Sequence, residues 1–520
     1  MIALLLFGSF FLFLGLGIPV AFSLGLSAVL TLVTTDGVQV LDVVPSVMFP
    51  SMSSGTLLAI PFFILAGIVM QYTGISQRLV DLAFLIFGRF SHGLAAVTII
   101  SAFFFSAISG SGPATVAAIG AILIPALVRN GYQKKHAVSV VAASGSMGIV
   151  VPPSIAFIIF AVVAAEFGSI SISRLFIAGI VPGIIMALAF LIAALFVPRV
   201  REVAGLPVRA GAKTGRLLAA GQTETGTTAS GAENQSTADS ENGPGSGERS
   251  AGKTKLLAAG GHGKSAATGN GGAASATSGA GSDPFAADPT ATVDSDGGFG
   301  EILTALLKAI PGLLIPVIIL GGIYGGIFTP TEAGAVASVY ALVVGVFVYR
   351  ELTWKDMPKV FLESGVSTAV IMFIVGVASL FSYVITVEGV ADRISTAVLS
   401  VTDNKYLILA VITVILLIVG AFVDAISAFY LFIPILVPIL IGVGVDLTTI
   451  GVFMTVNLAI GLFTPPVGLN LYVGAGIGKV RLEEVVRGIM PFLISAIIAL
   501  LLITYIPAIS NWLPDLLGVG

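Results

Sequence analysis

The segment Gly461-Leu462-Phe463-Thr464-Pro465-Pro466-Val467-Gly468-Leu469-Asn470 lies within an apolar stretch that carries no charged residue from Asp446 to Lys479. A Pro-Pro pair removes two backbone donors and disfavours helix at the residue before it. Unwound backbone at membrane depth is tolerated only beside protein or a water-filled cavity. The segment therefore predicts a membrane span that is broken at its middle, with freed carbonyls next to a binding site.

A second break of the same kind occurs earlier in the chain, in Gly148-Ile149-Val150-Val151-Pro152-Pro153-Ser154. The punctuating residues repeat at an offset of 313, where Pro125, Gly148, Pro152 and Pro153 match Pro438, Gly461, Pro465 and Pro466. Flanking residues repeat at offsets of 309 and 315, as Gly179, Pro182 and Pro198 match Gly488, Pro491 and Pro507, and Gly74 and Arg78 match Gly389 and Arg393. The sequence therefore contains an internal duplication, in which the second half repeats the first.

The composition places most of the chain in lipid. Of 520 residues, 56% are hydrophobic and 10% are charged, against about 25% charged in soluble proteins. The chain has no Cys, three His and a net charge of −3, which excludes thiolate chemistry, a haem or copper centre and a basic surface for nucleic acid. It also lacks a phosphate-binding loop ending in Lys-Ser or Lys-Thr. We expect an all-α polytopic membrane protein that is a transporter and not an enzyme.

One long hydrophilic segment, residues 201–298, separates the two apolar halves, which are residues 1–200 and 299–520. Its composition of Gly, Ser, Ala and Thr cannot bury enough apolar surface to offset chain entropy, which predicts disorder. If the segment is only a tether, deletion of Glu224–Asp283 leaves transport intact.

The distribution of basic loops predicts that the two halves are inverted in the membrane. Arg129, Lys134 and Lys135 lie in a loop whose counterpart, residues 441–447, contains no Lys or Arg. Four basic loops in all match neutral, acidic or nearly neutral equivalents. By the positive-inside rule the linker is cytoplasmic and the C-terminus is extracytoplasmic, and inverted repeats are typical of secondary transporters.

Each half also contains a predicted re-entrant hairpin. No charged residue lies between Arg89 and Arg129, yet the run is interrupted by Ser109-Gly110-Ser111-Gly112-Pro113. A continuous helix there would reach about 58 Å, twice the hydrocarbon core. The second hairpin has its tip near Asp424, the only acid between Asp403 and Asp446. An intramembrane carboxylate is costly, so Asp424 is either a cation or proton site or a helix-capping or helix-pairing residue.

The predicted core spans contain no Lys or Arg. The charge of an anionic substrate would have to be balanced by helix N-termini, hydroxyls, the Asn470 amide and co-bound cations, which indicates sodium coupling. Another conspicuous acid, Glu332, follows Thr329 and Pro330 in the pattern of a capping box and is assigned to a structural helix cap.

These residues resemble the large membrane subunit of the tripartite ATP-independent periplasmic (TRAP) transporters, the DctM-like family. The resemblance covers nearly the whole chain except the linker, and its motifs are specific. It is carried by Ser109–Thr115, Gly148–Ser154, Gly321–Ala335 and Val456–Asn470.

The resemblance implies an elevator-type fold like that of the ion transporter superfamily, in which both hairpins and both broken helices slide against a scaffold. It further implies a prokaryotic cell membrane, a carboxylate substrate such as a C4-dicarboxylate or sialic acid, an extracytoplasmic DctP-like binding protein and a separate small four-helix DctQ-like subunit. No cofactor other than Na⁺ is expected. The inserted linker departs from the family pattern.

Two sets of site residues follow as hypotheses. The sodium set comprises Ser106, Ser109, Gly110, Ser111, Gly145, Gly148, Asp424, Gly461 and Thr464. The substrate set comprises Ser111, Gly112, Pro113, Thr115, Pro152, Pro153, Pro465, Pro466, Gly468 and Asn470. Two other functions stay open at this point. One is a stand-alone sodium–anion symporter without a binding protein, and the other is an ion-translocating subunit of a membrane enzyme complex.

Overall fold

The computed structural model describes residues 2–88, 93–197 and 299–519. The predicted linker, residues 201–298, lies outside these ranges. The first half forms α1 Ile2–Gly15, α2 Val20–Asp36, α3 Val43–Met52, α4 Ala59–Tyr72, α5 Ile75–Phe87, α6 Gly93–Ser109, α7 Gly112–Arg129, α8 Lys134–Gly145, α9 Ile155–Ala164 and α10 Ile172–Leu195. The second forms α11 Phe299–Tyr324, α12 Pro330–Val343, α13 Met357–Val387, α14 Val390–Val401, α15 Lys405–Phe422, α16 Ala425–Gly442, α17 Leu447–Gly461, α18 Leu469–Gly478, α19 Leu482–Tyr505 and α20 Ala508–Leu516.

The described residues form helices joined by turns and loops and contain no strand, as the composition predicts. Among them, eight helices are long and apolar enough to cross a membrane, and the bent pair α4–α5 adds a ninth if it is counted as one span. The expected polytopic all-α class is therefore confirmed.

The order of helices in the second half repeats that of the first. Shifting α7 by the sequence offset of 313 gives residues 425–442, which are the bounds of α16. The agreement holds for the helices before the hairpins too, where a shift of 315 carries Ile75 of α5 onto Val390 of α14. The sequence duplication is thus also a duplication of secondary structure.

The charge-free N-terminal stretch forms two helices. Helix α1 ends at Gly15 and α2 begins at Val20, after Pro19. Because α1 and α2 pack along each other, the chain turns back at this proline, which is one of the two arrangements that its length allows.

In each half a short helix, here called the arm, connects the preceding helices to the hairpin. The arm is α5 in the first half and α14 in the second. Helix α4 meets α5 at a bend of 67°, and Gly74 at the bend has a left-handed φ of +62°. In the second half, Gly389 lies between α13 and α14 with a φ of +58°. Only glycine adopts this backbone conformation without steric cost, so both arms begin at a residue that the sequence repeats.

The hairpins and the broken helices exchange partners between halves. Hairpin 1 is α6–α7 and hairpin 2 is α15–α16. Helix α9, which follows the first break, packs against α16 of hairpin 2. Helix α18, which follows the second break, packs against α7 of hairpin 1 and against α8. Each half thus completes the packing of the other.

Candidate functional site

The tip of hairpin 1 is built by local hydrogen bonds. Gly110 takes a left-handed φ of +59°, and Ser111 is the extended residue before α7, with Pro113 in the first turn. The Ser109 and Thr115 hydroxyls share a hydrogen bond of 2.7 Å. The Thr115 hydroxyl also donates to the Ser111 carbonyl at 2.9 Å. The tip is therefore a compact turn in which buried hydroxyls lie beside a helix N-terminus.

The first helix break lies directly against this tip. A Cβ added at Gly148 would be 2.5 Å from the Ser111 carbonyl oxygen, and one added at Gly110 would be 3.3 Å from the Pro153 carbonyl oxygen. One added at Gly145 would clash with Val116 of α7. The glycines thus permit a backbone-to-backbone approach that no larger residue allows.

Asn470, from the second half, lies at the tip of hairpin 1. Its side chain is fully buried, and its Nδ2 donates to the Ala142 carbonyl of α8 at 3.2 Å. A Cβ at Gly112 would lie 3.2 Å from the Asn470 Oδ1. No atom of the described residues donates to that oxygen. The structure therefore places a half-two amide at the tip of the half-one hairpin.

Three helix N-termini meet at this tip. Helix α7 begins at Gly112, α18 begins at Leu469 beside Asn470, and a Cβ at Gly110 would be 3.4 Å from the Ile155 amide nitrogen at the start of α9. Helix N-termini carry partial positive charge and favour anions. The core spans contain no Lys or Arg, so the positive charge at this tip comes from backbone dipoles and not from a basic side chain.

The second break lies against the end of hairpin 2. A Cβ at Gly461 would be 2.5 Å from backbone atoms of Gly420, and the Gly468 amide donates to the Ala421 carbonyl at 3.0 Å. The Thr464 hydroxyl donates to the Ile460 carbonyl at 2.7 Å. The two breaks differ in exposure, since Pro152 and Pro153 are buried whereas Pro466 is exposed and Pro465 is partly so.

Asp424 caps helix α16. Its Oδ2 accepts from the Ile426 and Ser427 amides at 3.0 and 3.1 Å, and its Oδ1 accepts from the Ser427 hydroxyl at 2.6 Å. Among the described residues, these bonds all lie within its own helix. The capping geometry that the sequence left as an alternative is therefore present, and a sodium role for Asp424 stays a prediction.

Ser106 Oγ and Asn457 Oδ1 are among the other buried oxygens that lack a hydrogen-bond partner in the described residues. Ser106 belongs to the predicted sodium set. Asn457 does not belong to that set, and its side chain is fully buried. The sequence signal that could have identified it is an Asn within a span that has no charged residue. Hard cations prefer such oxygen ligands.

The structural cap at α12 has the geometry expected of a capping box. The Glu332 amide bonds to the Thr329 hydroxyl at 3.3 Å, and the Thr329 amide donates to the Glu332 Oε2 at 2.8 Å. Pro330 occupies the first turn. Glu332 therefore caps the N-terminus of helix α12.

The family model described as "Tripartite ATP-independent periplasmic transporter, DctM component" matches residues 7–228 and 285–509. The chain belongs to the DctM family. The match takes in both hairpins and both breaks, and leaves residues 229–284 unmatched, which is the central part of the predicted linker. As a DctM component the chain is a multi-pass TRAP permease and not an enzyme.

Several DctM relatives span the same length. The chain is 34% identical to a C4-dicarboxylate TRAP transporter large permease protein of Pseudomonas aeruginosa, covering 96% of this chain and 95% of the relative. It is 31% identical to a protein of the same name from Rhodobacter capsulatus over the full length of both. It is 35% identical to an isethionate TRAP transporter permease protein DctMQ of Oleidesulfovibrio alaskensis, covering 97% of this chain but only 65% of that relative.

Two solved transporters share the DctM fold at low identity. The YdaH transporter of Alcanivorax borkumensis matches with a TM-score of 0.53 at 13% identity, covering 94% of this chain and 90% of that one. The Neisseria gonorrhoeae MtrF matches with a TM-score of 0.50 at 12% identity, covering 92% and 85%. These likenesses concern the fold alone.

Proposed function

We propose that this DctM chain is the permease of a sodium-coupled importer for a small organic anion that a separate binding protein delivers. The observation that carries the proposal is the meeting of three helix N-termini at the tip of hairpin 1. Partial positive charge held in backbone favours an anion without a fixed basic side chain that would hold the anion too tightly to release it.

The proposed substrate is a carboxylate or a sulfonate. The names of DctM relatives refer to C4-dicarboxylates, sialic acid and isethionate, all of which are anions. Ser111 and Asn470 would orient the anionic group by hydrogen bonds, while Gly112 allows close approach to the start of α7.

Sodium would supply the remaining positive charge. The unpartnered oxygens of Ser106, Asn457 and Asn470 and the freed carbonyls at the two breaks are oxygen ligands without a fixed countercharge. A cation bound there would attract the anionic substrate and couple sodium transport to substrate transport. Asp424 would contribute one of its remaining lone pairs.

The proposed movement is an elevator. The mobile body would comprise α6–α10 and α15–α19, since the exchange of α9 and α18 ties both hairpins into one bundle. The scaffold would comprise α1–α4 and α11–α13, with α5 and α14 as the connecting arms. A small DctQ-like subunit and a DctP-like binding protein would complete the system.

The test is uptake into proteoliposomes that contain this chain, its small subunit and its binding protein. Radiolabelled succinate, sialic acid and isethionate are supplied with an inward sodium gradient or with choline. We expect accumulation of one of these anions that requires both sodium and the binding protein. Accumulation without the binding protein would support the stand-alone symporter, and sodium-independent accumulation would contradict the coupling.

A matched pair of variants locates the site. Asn470→Ala is expected to raise the substrate KM by about ten- to a hundredfold, because a lost hydrogen bond to a charged group costs about 1.5–3 kcal/mol. Asn511→Ala changes a partly exposed asparagine of α20 and should leave KM unchanged. An equal KM for Asn470→Ala and the wild-type chain would remove Asn470 from the site.

A further inference from the structure

The two arms are held differently, although the sequence repeats them. On arm α5, Arg78 Nη2 lies 2.5 Å from the Glu351 Oε1, and its guanidinium stacks 3.9 Å from the centroid of the Tyr349 ring. A Cβ at Gly74 would clash with the Glu351 carboxylate. An ion pair thus fastens the first arm to the segment after α12, which belongs to the second half.

The duplication gives this ion pair a counterpart. At the offset of 315, Arg78 matches Arg393 on arm α14, and Glu351 matches Asp36 at the end of α2. The spacing from acid to arginine is therefore identical in the two halves. In the structure Arg393 and Asp36 are both exposed, and neither forms an ion pair with a described residue.

The packing of the arms shows the same asymmetry. Helix α5 packs on α11 and on α6. Helix α1, the counterpart of α11, has no comparable packing against α14, and α14 packs on α16 in place of α15. Two copies of one sequence pattern thus adopt two arrangements within one structure.

A cavity of about 740 Å³ accompanies the closed pair. It lies between hairpin 1 and helix α11, beside arm α5. Its lining includes Gln77, Arg78, Ala121, Lys308, Tyr349 and Glu351. The cavity therefore reaches from the closed Arg78–Glu351 pair to Ala121 of hairpin 1.

We infer that the two ion pairs alternate during transport: Arg78–Glu351 closes in one end state, and Arg393–Asp36 closes in the other. This rests on the proposed elevator function with inverted repeats. If the halves exchange their arrangements, the second end state follows by giving each arm the contacts that the other has now. Each pair then stabilises one end state and opens in the other.

The absence of Cys from the chain makes a cross-linking test direct. Asp36→Cys/Arg393→Cys is treated in native membranes with a short bifunctional thiol reagent, beside Arg78→Cys/Glu351→Cys. We expect both pairs to cross-link. The control is Asp42→Cys/Arg393→Cys, which uses the other acid of the same loop and should not. Cross-linking of the Arg78–Glu351 positions without any at Asp36–Arg393 would overturn the proposal.

A second readout uses single neutral variants. Ala121→Cys reports access to the cavity by its rate of labelling with a water-soluble maleimide. Glu351→Gln should lower that rate by about two- to fivefold, and Asp36→Asn should raise it by a similar factor, since ion pairs near the surface are worth up to about 1 kcal/mol. Changes in the same direction would refute alternation.

These measurements read geometry and need no substrate. Failure of sodium-coupled uptake with normal cross-linking would therefore refute the proposed function and leave the alternation standing. Normal uptake with no cross-link between the Asp36 and Arg393 positions would refute the alternation and leave the proposed function standing.

Discussion

Phe160 of the first broken helix packs edge-on against Phe429 of hairpin 2, with ring centroids 5.9 Å apart. The two residues belong to different halves of the duplication. Asn470 makes the reciprocal connection, from the second broken helix to α8 and the tip of hairpin 1. Both connections cross between halves, so each hairpin is packed against the broken helix of the other half.

The glycines at the breaks should tolerate no side chain. Gly148→Ala and Gly461→Ala place a Cβ within 2.5 Å of backbone atoms of the neighbouring hairpin, and overpacking of this kind costs about 1–3 kcal/mol. We expect a lower apparent unfolding temperature in detergent and a loss of uptake for both. Gly476→Ala on α18 meets nothing within 4 Å and should be neutral or slightly stabilising. Unchanged stability of Gly148→Ala would show that the hairpin tip is free to move away.

The charge of Asp424 can be separated from its capping role. Asp424→Asn keeps an acceptor at a favoured N-cap residue, so thermal stability should change little while the sodium dependence of uptake is lost. Asp446→Asn is the matched control, because Asp446 caps α17 through the Thr449 amide and hydroxyl in the same way. Sodium dependence should survive in that variant. Equal effects of both substitutions would make Asp424 a cap and nothing more.

The hairpin bounds and the breaks could be predicted from the sequence, because local signals encode them. Small residues with Pro113 mark the first tip, Asp424 marks the second, and a Pro-Pro pair stops each broken helix. The meeting of Asn470 with Gly112 could not be predicted, since no local periodicity records which helices pack across about 360 residues. The Arg78–Glu351 pair was missed for the same reason, although the matched Arg78 and Arg393 were visible in the repeat.

The inverted orientation of the halves is testable by labelling single cysteines in whole cells. Gln133→Cys lies in the basic loop between α7 and α8, and Gly444→Cys lies in the matching loop between α16 and α17. Because positive loops stay cytoplasmic, a membrane-impermeant maleimide should label Gly444→Cys in intact cells and Gln133→Cys only after lysis. Labelling of both from the same side would show parallel repeats.

The capping box of α12 should behave as one unit. Thr329→Ala and Glu332→Ala are each expected to lower stability by about 1 kcal/mol, and the double variant should cost less than their sum because the two side chains bond to each other. The unfolding temperatures of the three variants and of the wild-type chain together form a double-mutant cycle. Sodium dependence and KM should be unchanged. A shift in either would give Glu332 a role in transport that the capping geometry does not require.

Removal of the unmatched linker should leave transport nearly intact. The family model aligns on both sides of residues 229–284, so a deletion of those residues retains every segment that the family model matches. Uptake by this variant is compared with the wild-type chain at equal membrane abundance. A variant that reaches the membrane in normal amounts but does not accumulate substrate would assign the linker a function beyond connection.

The exchange of α9 and α18 has a consequence for biosynthesis. The ribosome must add about 360 residues after Gly112 before Asn470 exists to cover it, which takes roughly 20–70 s at ordinary elongation rates. During that interval the first hairpin lies in the membrane with polar backbone and hydroxyls uncovered. We therefore expect newly made first halves to be more open to membrane chaperones and quality-control proteases than the complete chain, and more so the longer translation of the second half takes.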